Sequence, residues 1–192
     1  MNTIYILLTR SGTLLSNLVY LFTGDPFTHA SISFDPTLQP LYSSARKNGE
    51  TMFPAGPCRE YFHRGFYRKH RHIPCALYAL NVSQERYDEA RQEVCRIISH
   101  SDEYHFNILG LLLCRLNIPM RRRKKFFCSQ FVAEILQRSQ ALALPKVPSL
   151  MRPMDYARLP QVSCLYRGTL RELVALRNGV LDAEEPPTTL HG

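Results

Sequence analysis

Three segments in the first quarter of the chain carry strand signals, and one of them follows the two-residue period of β-strands. Ile4 to Leu8 is a short apolar run, and Thr28 to Phe34 alternates apolar with polar residues, His29 among the polar ones. Leu41 to Arg46 is a further strand candidate, and Asp35-Pro36 favours a turn before it. The pattern predicts three strands, of which the second and third form a β-hairpin.

Apolar residues recur at helical spacing in four segments. The segments are Leu14 to Phe22, Gln84 to about Ile98, Tyr104 to Leu116 and the stretch that begins at Cys128. Ser83 precedes the second segment as a capping residue. Strands and helices are therefore expected to be mixed along the chain.

The remaining segments carry weaker or shorter signals. Cys75 to Val82 is a continuous apolar run typical of a buried strand, Val162 to Tyr166 predicts a last strand, and Leu170 to Leu176 a short helix. Residues 47–74 show no sustained period beyond the turn dipeptide Asn48-Gly49, so at most short elements are expected there.

Length and composition indicate one globular domain. The chain has 192 residues, of which 45% are hydrophobic and 21% charged, and we assign residues 1–177 to the domain and 178–192 to a flexible tail. The longest apolar candidate, Leu14 to Phe22, is interrupted by Ser16 and Asn17. It falls short of the roughly 18 apolar residues that a membrane-spanning helix needs.

The amino terminus and the cysteines point to the cytoplasm. No basic residue precedes the first apolar run and no small-residue cleavage site follows it, so the start does not look like a secretory signal. Six scattered cysteines without a Cys-x-x-Cys pair favour reduced thiols. A net charge of +8 favours encounters with anionic partners.

Cys128 is distinctive because it stands at a predicted helix start. Only about 3% of a thiol with the usual pKa near 8.5 is ionised at pH 7. The first-turn N–H groups and the helix dipole favour the thiolate, and the basic residues upstream act in the same direction. Cys75, Cys95 and Cys114 lie within apolar strand or helix positions, where a thiol is less reactive.

A nucleophilic cysteine also needs a histidine that shares its proton. His29 faces away from the apolar side of its predicted strand and is the best-placed candidate. The competing interpretation is that Cys128 is a structural residue beside Phe126 and Phe127, and that His29 is an ordinary surface histidine. Spacing alone leaves both interpretations open.

Two short motifs resemble a known family. Phe27-Thr28-His29-Ala30-Ser31-Ile32, followed about a hundred residues later by Phe126-Phe127-Cys128-Ser129-Gln130-Phe131-Val132, is similar to the circularly permuted branch of the NlpC-type papain-like proteins. This branch includes the YiiX/YebB group and lecithin retinol acyltransferase, and its histidine strand precedes its cysteine helix. The resemblance extends over about residues 1–170.

The resemblance implies an α+β fold in which a small antiparallel sheet, partly barrel-like, packs against the cysteine helix. It also implies that Cys128 is the nucleophile, that His29 is the general base and acid, and that Tyr104 lines the site. The family's third polar residue, which orients the histidine, matches Ser44 most closely. Ser44 departs from the usual His, Gln, Asn or Glu. The backbone N–H of Cys128 would form part of the oxyanion hole.

The basic run Arg121 to Lys125 has several interpretations. It is a solvated loop, or Arg121, Arg122 and Arg123 bind a carboxylate or phosphate of the substrate. With the basic and aromatic residues of 64–71 it could instead bind nucleic acid, although no nucleic-acid motif is present. His70, His72 and Cys75 have the spacing of metal ligands but lack a fourth partner, so no metal is predicted.

The sequence thus predicts a cysteine hydrolase or an acyltransferase that works through a thioester and needs no cofactor. Its substrate would be a small molecule, peptide or lipid with an amide or ester carbonyl. The rival hypothesis is an inactive papain-like binding module for an anionic partner. Neither the substrate nor the oligomeric state follows from the sequence.

Overall fold

A six-stranded antiparallel sheet crosses the protein, as seen in a computed structural model that describes residues 1–10, 24–46 and 55–184. Its strands are β1 (Asn2–Thr9), β2 (His29–Ser33), β3 (Leu41–Arg46), β4 (Ala55–Glu60), β5 (Pro74–Val82) and β8 (Val162–Thr169), in the order β4-β3-β2-β1-β5-β8. The two-residue strands β6 (His105–Phe106) and β7 (Lys125–Phe126) form a separate parallel pair.

Helices cover both faces of the sheet. They are α1 (Gly65–Lys69), α2 (Gln84–Ser99), α3 (Ile108–Arg115), α4 (Cys128–Arg138), α5 (Pro153–Tyr156) and α6 (Leu170–Glu184), with short 3-10 turns at Ser101–Glu103 and Pro148–Leu150. The protein is therefore a mixed α+β protein.

Alternation along the strands divides the core into two clusters. On one face, Ile6 and Ile32 are fully buried against Phe131 of α4 and residues of α2. On the other face, Leu7 and Leu77 pack against α1 and α6. Burying each such side chain stabilises the fold by about 1.5–3 kcal/mol. Because both faces are covered, a polar side chain on either face needs a partner.

Most predicted elements are confirmed. The strands at 4–8, 28–34 and 41–46 are present, and the last two form the expected hairpin. The buried strand at 75–82 and the helix from Gln84 are also present, and Ser83 Oγ accepts a hydrogen bond from the Arg86 N–H. The predicted helix at 14–22 and the turn at Asn48-Gly49 lie outside the described residues.

The predicted helix from Tyr104 was wrong at its start. The helix begins at Ile108, because Asn107 caps it by accepting a 3.1 Å hydrogen bond from the Gly110 N–H through its side-chain Oδ1. Tyr104 instead lies in extended backbone that leads into β6. The last helix is longer than predicted and runs to Glu184.

Residues 55–69 contain a strand and a helix that the sequence pattern concealed. Gly56 and Pro57 within β4 weaken its strand signal. Gly56 is required by a close approach of two backbones, since a Cβ there would come within 2.7 Å of the Tyr104 carbonyl oxygen. This strand ends at Glu60, beside the candidate site.

Candidate active site

Cys128 is the first residue of α4. Phe127 is in extended conformation, and the first helical turn is closed by a 2.9 Å hydrogen bond from the Phe131 N–H to the Phe127 carbonyl. The first turn has no acidic residue and no side-chain cap, and its Ser129 N–H is directed at the thiol. Cys128 is 6% exposed.

The thiol meets the start of β2, a hundred residues earlier in the chain. In the pairing of β2 with β3, the residues in register are Ile32 and Tyr42, which lie toward the other end of β2. Nearer the start of β2, Cys128 Sγ lies 3.9 Å from the Thr28 carbonyl oxygen, and the Ala30 N–H is directed at it. The His29 imidazole is close enough to the same thiol for each group to shift the other's pKa.

Glu60, the last residue of β4, holds the other side of His29. Its Oε2 lies 3.1 Å from His29 Nε2, and the two side chains are only 15% and 12% exposed. Ser31 Oγ donates to the same carboxylate oxygen at 2.9 Å and lies 3.3 Å from Nε2. Because Nε2 is engaged on this side, we infer that Nδ1 is the ring nitrogen that faces Cys128.

The three groups shift one another's pKa values. Burial lowers the pKa of His29, but the charge of Glu60 and hydrogen bonds to Cys128 and Glu60 outweigh it and raise the value from 6.5 to about 10. Burial raises the pKa of Cys128, and the stronger combined effect of His29 and the Ala30 and Ser129 backbones lowers it. Burial likewise raises the pKa of Glu60, and His29 reverses this. Together these shifts favour the form in which a His29 imidazolium lies between the Cys128 thiolate and the Glu60 carboxylate.

The assignment of Ser44 as the orienting residue was wrong. Ile32 pairs with Tyr42, so Ser44, two residues further along β3, shares the Ile32 face, while His29 lies on the opposite face. Ser44 Oγ instead donates a buried 2.7 Å hydrogen bond to the Phe126 carbonyl. Its contact supports the segment that leads to Cys128.

Glu60 takes the position that the sequence assigned to Ser44. Glu60 lies opposite Leu41 in the β3–β4 register, which places it on the His29 face of the sheet. The alternation Cys58-Arg59-Glu60 was a weak signal for it, since the preceding Gly56-Pro57 obscures the strand.

Two tyrosines lie near the start of α4. Tyr104 is buried, stacks on Phe126 at 5.7 Å and receives a 3.4 Å hydrogen bond from Arg96, so its described contacts are with packing residues. Tyr156 is fully buried and donates a 2.7 Å hydrogen bond to the Ser129 carbonyl. Burial, followed by the charge of Cys128, raises the pKa of Tyr156 well above its usual value. Sequence reasoning missed this second tyrosine.

The predicted substrate-binding arginines lie on the segment that leads into β7. Arg121, Arg122 and Arg123 are exposed, and β7 continues directly to Phe127 and Cys128. Their role in substrate binding remains a prediction. Lys124, the next residue, forms an ion pair with Glu103.

The alternative ligand sites are not assembled in the described part of the chain. Within residues 1–10, 24–46 and 55–184, no group of three His, Cys, Asp or Glu side chains is arranged to hold a metal ion. Tyr67, one of the aromatics considered for stacking on bases, is only 2% exposed. No helix among these residues has the length and apolar character to cross a membrane.

Comparison with known proteins finds no match of this chain to a protein-family model or to a curated protein sequence. The site is therefore interpreted from its own geometry.

Proposed function

We propose that this protein is a cysteine-dependent acyl hydrolase or acyltransferase with Cys128 as nucleophile and His29 as general base and acid. The observation that carries the proposal is that His29 lies between Cys128 and Glu60. Cys128 is at the start of a helix, and the other two residues are at the ends of two strands. A structural cysteine has no need of a histidine whose other nitrogen is held by a buried carboxylate.

The reaction would begin when the Cys128 thiolate attacks the substrate carbonyl carbon and forms a C–S bond. His29 then donates its Nδ1 proton to the leaving nitrogen or oxygen as the bond from the carbonyl carbon breaks, which leaves a thioester. A water or an acceptor hydroxyl or amine gives its proton back to His29 and attacks the thioester. The product acyl group departs and the thiolate is restored.

Glu60 would keep His29 oriented through both proton transfers. Its carboxylate accepts from Nε2 and is itself held by the Ser31 hydroxyl. An ionised partner stabilises the imidazolium more strongly than a serine hydroxyl would. A carboxylate in this place favours an active enzyme over an inactive binding module, since it holds the imidazole more firmly than a serine hydroxyl.

The first turn of α4 supplies donors for the developing oxyanion. The N–H groups of Cys128 and Ser129 precede the first intrahelical hydrogen bond of α4, which is made by the Phe131 N–H. Backbone donors fixed in this way stabilise a tetrahedral intermediate without reorganisation. We assign the oxyanion hole to this turn.

The permuted NlpC-type papain-like fold is proposed on the order of these elements. The histidine strand precedes the cysteine helix, and α4 packs on the antiparallel sheet next to β2 and β3. We also propose a cytoplasmic location, since all six cysteines are free thiols, as is usual in a reducing compartment.

Trapping of the acyl-enzyme tests the proposal. The protein is incubated with p-nitrophenyl acetate, quenched in acid and analysed by intact and peptide mass spectrometry. We expect one acetyl group on Cys128 in wild type and none at that position in Cys128→Ala. Cys95→Ala, which removes an exposed thiol elsewhere, is the matched control and should acylate like wild type. Acylation that does not require Cys128 would refute the mechanism.

A further inference from the structure

The helix α3 (Ile108–Arg115) exposes three of its five large apolar side chains to solvent. Its buried positions are the small residues Gly110 and Cys114, whereas Ile108, Leu109 and Leu112 are exposed. A surface helix normally buries its leucines and exposes polar residues. In α3 only Leu111 and Leu113 are half-buried, and the other large apolar side chains are exposed.

The apolar surface continues beyond the helix. Leu116 is 70% exposed and Ile118 is 47% exposed, and Leu116 lies four and eight residues after Leu112 and Ile108, on the same helical face. We call Ile108, Leu109, Leu112, Leu116 and Ile118 the leucine face. A cluster of exposed large apolar side chains of this kind marks a docking surface.

The leucine face is followed by basic side chains and contains no acidic ones. Between Glu103 and Glu134 the sequence has no Asp or Glu, but it has Arg115 and the run Arg121 to Lys125. Arg121, Arg122 and Arg123 are all exposed. Along the chain, the apolar stripe is therefore followed within a few residues by exposed positive charge.

We propose that the leucine face docks on the surface of an anionic lipid bilayer. A bilayer offers an apolar layer beneath negative headgroups, which matches apolar side chains bordered by arginines. A second copy of the chain would bring a second basic run to the same interface, and like charges oppose that association. Docking of this kind does not depend on the proposed catalytic function.

The helix is held firmly enough to act as a rigid docking element. At its start, the Asn107 side chain caps the helix and donates a 3.4 Å hydrogen bond to Gln130 of α4. At its end, the Arg152 guanidinium donates to the Cys114 carbonyl at 3.1 Å and the Arg115 carbonyl at 3.4 Å. Gln130 is two residues from Cys128, so docking would bring the candidate site to the membrane.

Vesicle co-sedimentation of the full chain tests the proposal. We expect binding to vesicles of phosphatidylcholine with phosphatidylserine and at least about tenfold weaker partition to phosphatidylcholine alone. Leu109→Glu/Leu112→Glu should weaken partition at least about tenfold. The matched control, Leu165→Glu/Leu176→Glu, changes two exposed leucines elsewhere and should bind like wild type.

Two double charge-reversal variants give a second comparison. Arg121→Glu/Arg122→Glu should weaken binding to the anionic vesicles, and added salt should weaken wild-type binding. Arg68→Glu/Arg71→Glu, which makes the same change of charge at exposed residues around α1, should have a smaller effect. Equal losses for the two pairs would mean that net charge alone drives binding, and the assigned surface would be wrong.

Fluorescence provides a readout that is insensitive to small losses of stability. The chain has no tryptophan, so Leu112→Trp introduces a single probe. Its emission should shift to the blue on anionic vesicles, whereas that of Leu165→Trp should not. If wild type does not bind vesicles, or if Leu109→Glu/Leu112→Glu instead converts a dimer to a monomer in analytical ultracentrifugation, the bilayer proposal is overturned.

Discussion

The carboxylate of Glu60 lies 3.1 Å from Nε2 of His29, although the two residues lie on strands that are not neighbours in the sheet. β3 separates β2 from β4, and both side chains project from the same face. The Glu60 charge keeps the imidazole protonated and so favours the Cys128 thiolate.

His29→Ala should slow the alkylation of Cys128 at neutral pH by roughly tenfold or more. The histidine lowers the pKa of Cys128, so its loss leaves burial to raise that pKa and reduces the thiolate fraction. The measurement is the rate of iodoacetamide modification of Cys128 against pH, read by peptide mass spectrometry. Cys95 and Cys164, both exposed, are internal controls in the same sample. A Cys128 profile that is unchanged by the mutation would show an ordinary thiol.

Glu60→Gln should weaken the same coupling while leaving the histidine in place. Without the carboxylate the pKa of His29 falls, and the apparent pKa of Cys128 in the alkylation profile rises. The turnover of any acyl substrate by Glu60→Gln should fall below that of wild type by a larger factor at low pH than at high pH. If Glu60→Gln retained the wild-type alkylation profile, Glu60 would have only a structural role.

Ser44→Ala should reduce stability without altering the reactivity of Cys128. Its hydroxyl donates to the buried Phe126 carbonyl, and loss of that donor costs about 1–2 kcal/mol of unfolding free energy. Urea denaturation measures the loss, and the iodoacetamide profile should match that of wild type. An increase in the pKa of Cys128 as large as that in Glu60→Gln would instead restore Ser44 as the orienting residue.

Tyr156→Phe should affect the site more than Tyr104→Phe. Tyr156 donates a 2.7 Å hydrogen bond to the Ser129 carbonyl, whereas the Tyr104 hydroxyl meets Arg96 at 3.4 Å. Removing the Tyr156 hydroxyl leaves a buried carbonyl unpaired and should cost about 1–2 kcal/mol of unfolding free energy. Denaturation and acyl-enzyme formation are compared for the two variants. A greater loss of acylation in Tyr104→Phe would favour the tyrosine that the sequence had indicated.

The stabilisation from the His29–Glu60 pair should be greatest between about pH 4.5 and about pH 6.5. The folded pKa of His29 is raised, so its contribution is complete below 6.5 and is lost as the pH rises toward about 10. The folded pKa of Glu60 is lowered, so its contribution is present above 4.5 and is lost as the pH falls.

The difference in unfolding free energy between wild type and Glu60→Gln, measured by urea denaturation from about pH 4 to about pH 10, checks this window. At the pH where this difference in unfolding free energy is greatest, it should be about 3 kcal/mol. Gln84→Ala, at an exposed helix start, should give a difference that does not follow this pH course. A flat difference for Glu60→Gln would mean that the pair does not contribute as an ion pair.

The sequence by itself determined the main strands and the helix that starts at Cys128, the proposed nucleophile. Alternation in 28–34, the turn residues Asp35-Pro36 and the strand candidate at 41–46 sufficed for the hairpin, because each of these signals lies within its own short segment. The helix at Cys128 was also visible, since apolar residues such as Phe131 and Ile135 recur at helical spacing. These are local regularities, and a single segment contains all the information needed to see them.

Only the tertiary structure decided what stands beside the histidine. Ser44 and Glu60 are both polar residues on strands that follow β2, and the choice between them depends on which face of the sheet each side chain occupies. That face is set by the register between strands, which a shift of one residue would invert. The sequence also did not reveal which face of α3 is buried. That face is set by the contacts of Asn107 and Arg152 and not by the leucines of the helix.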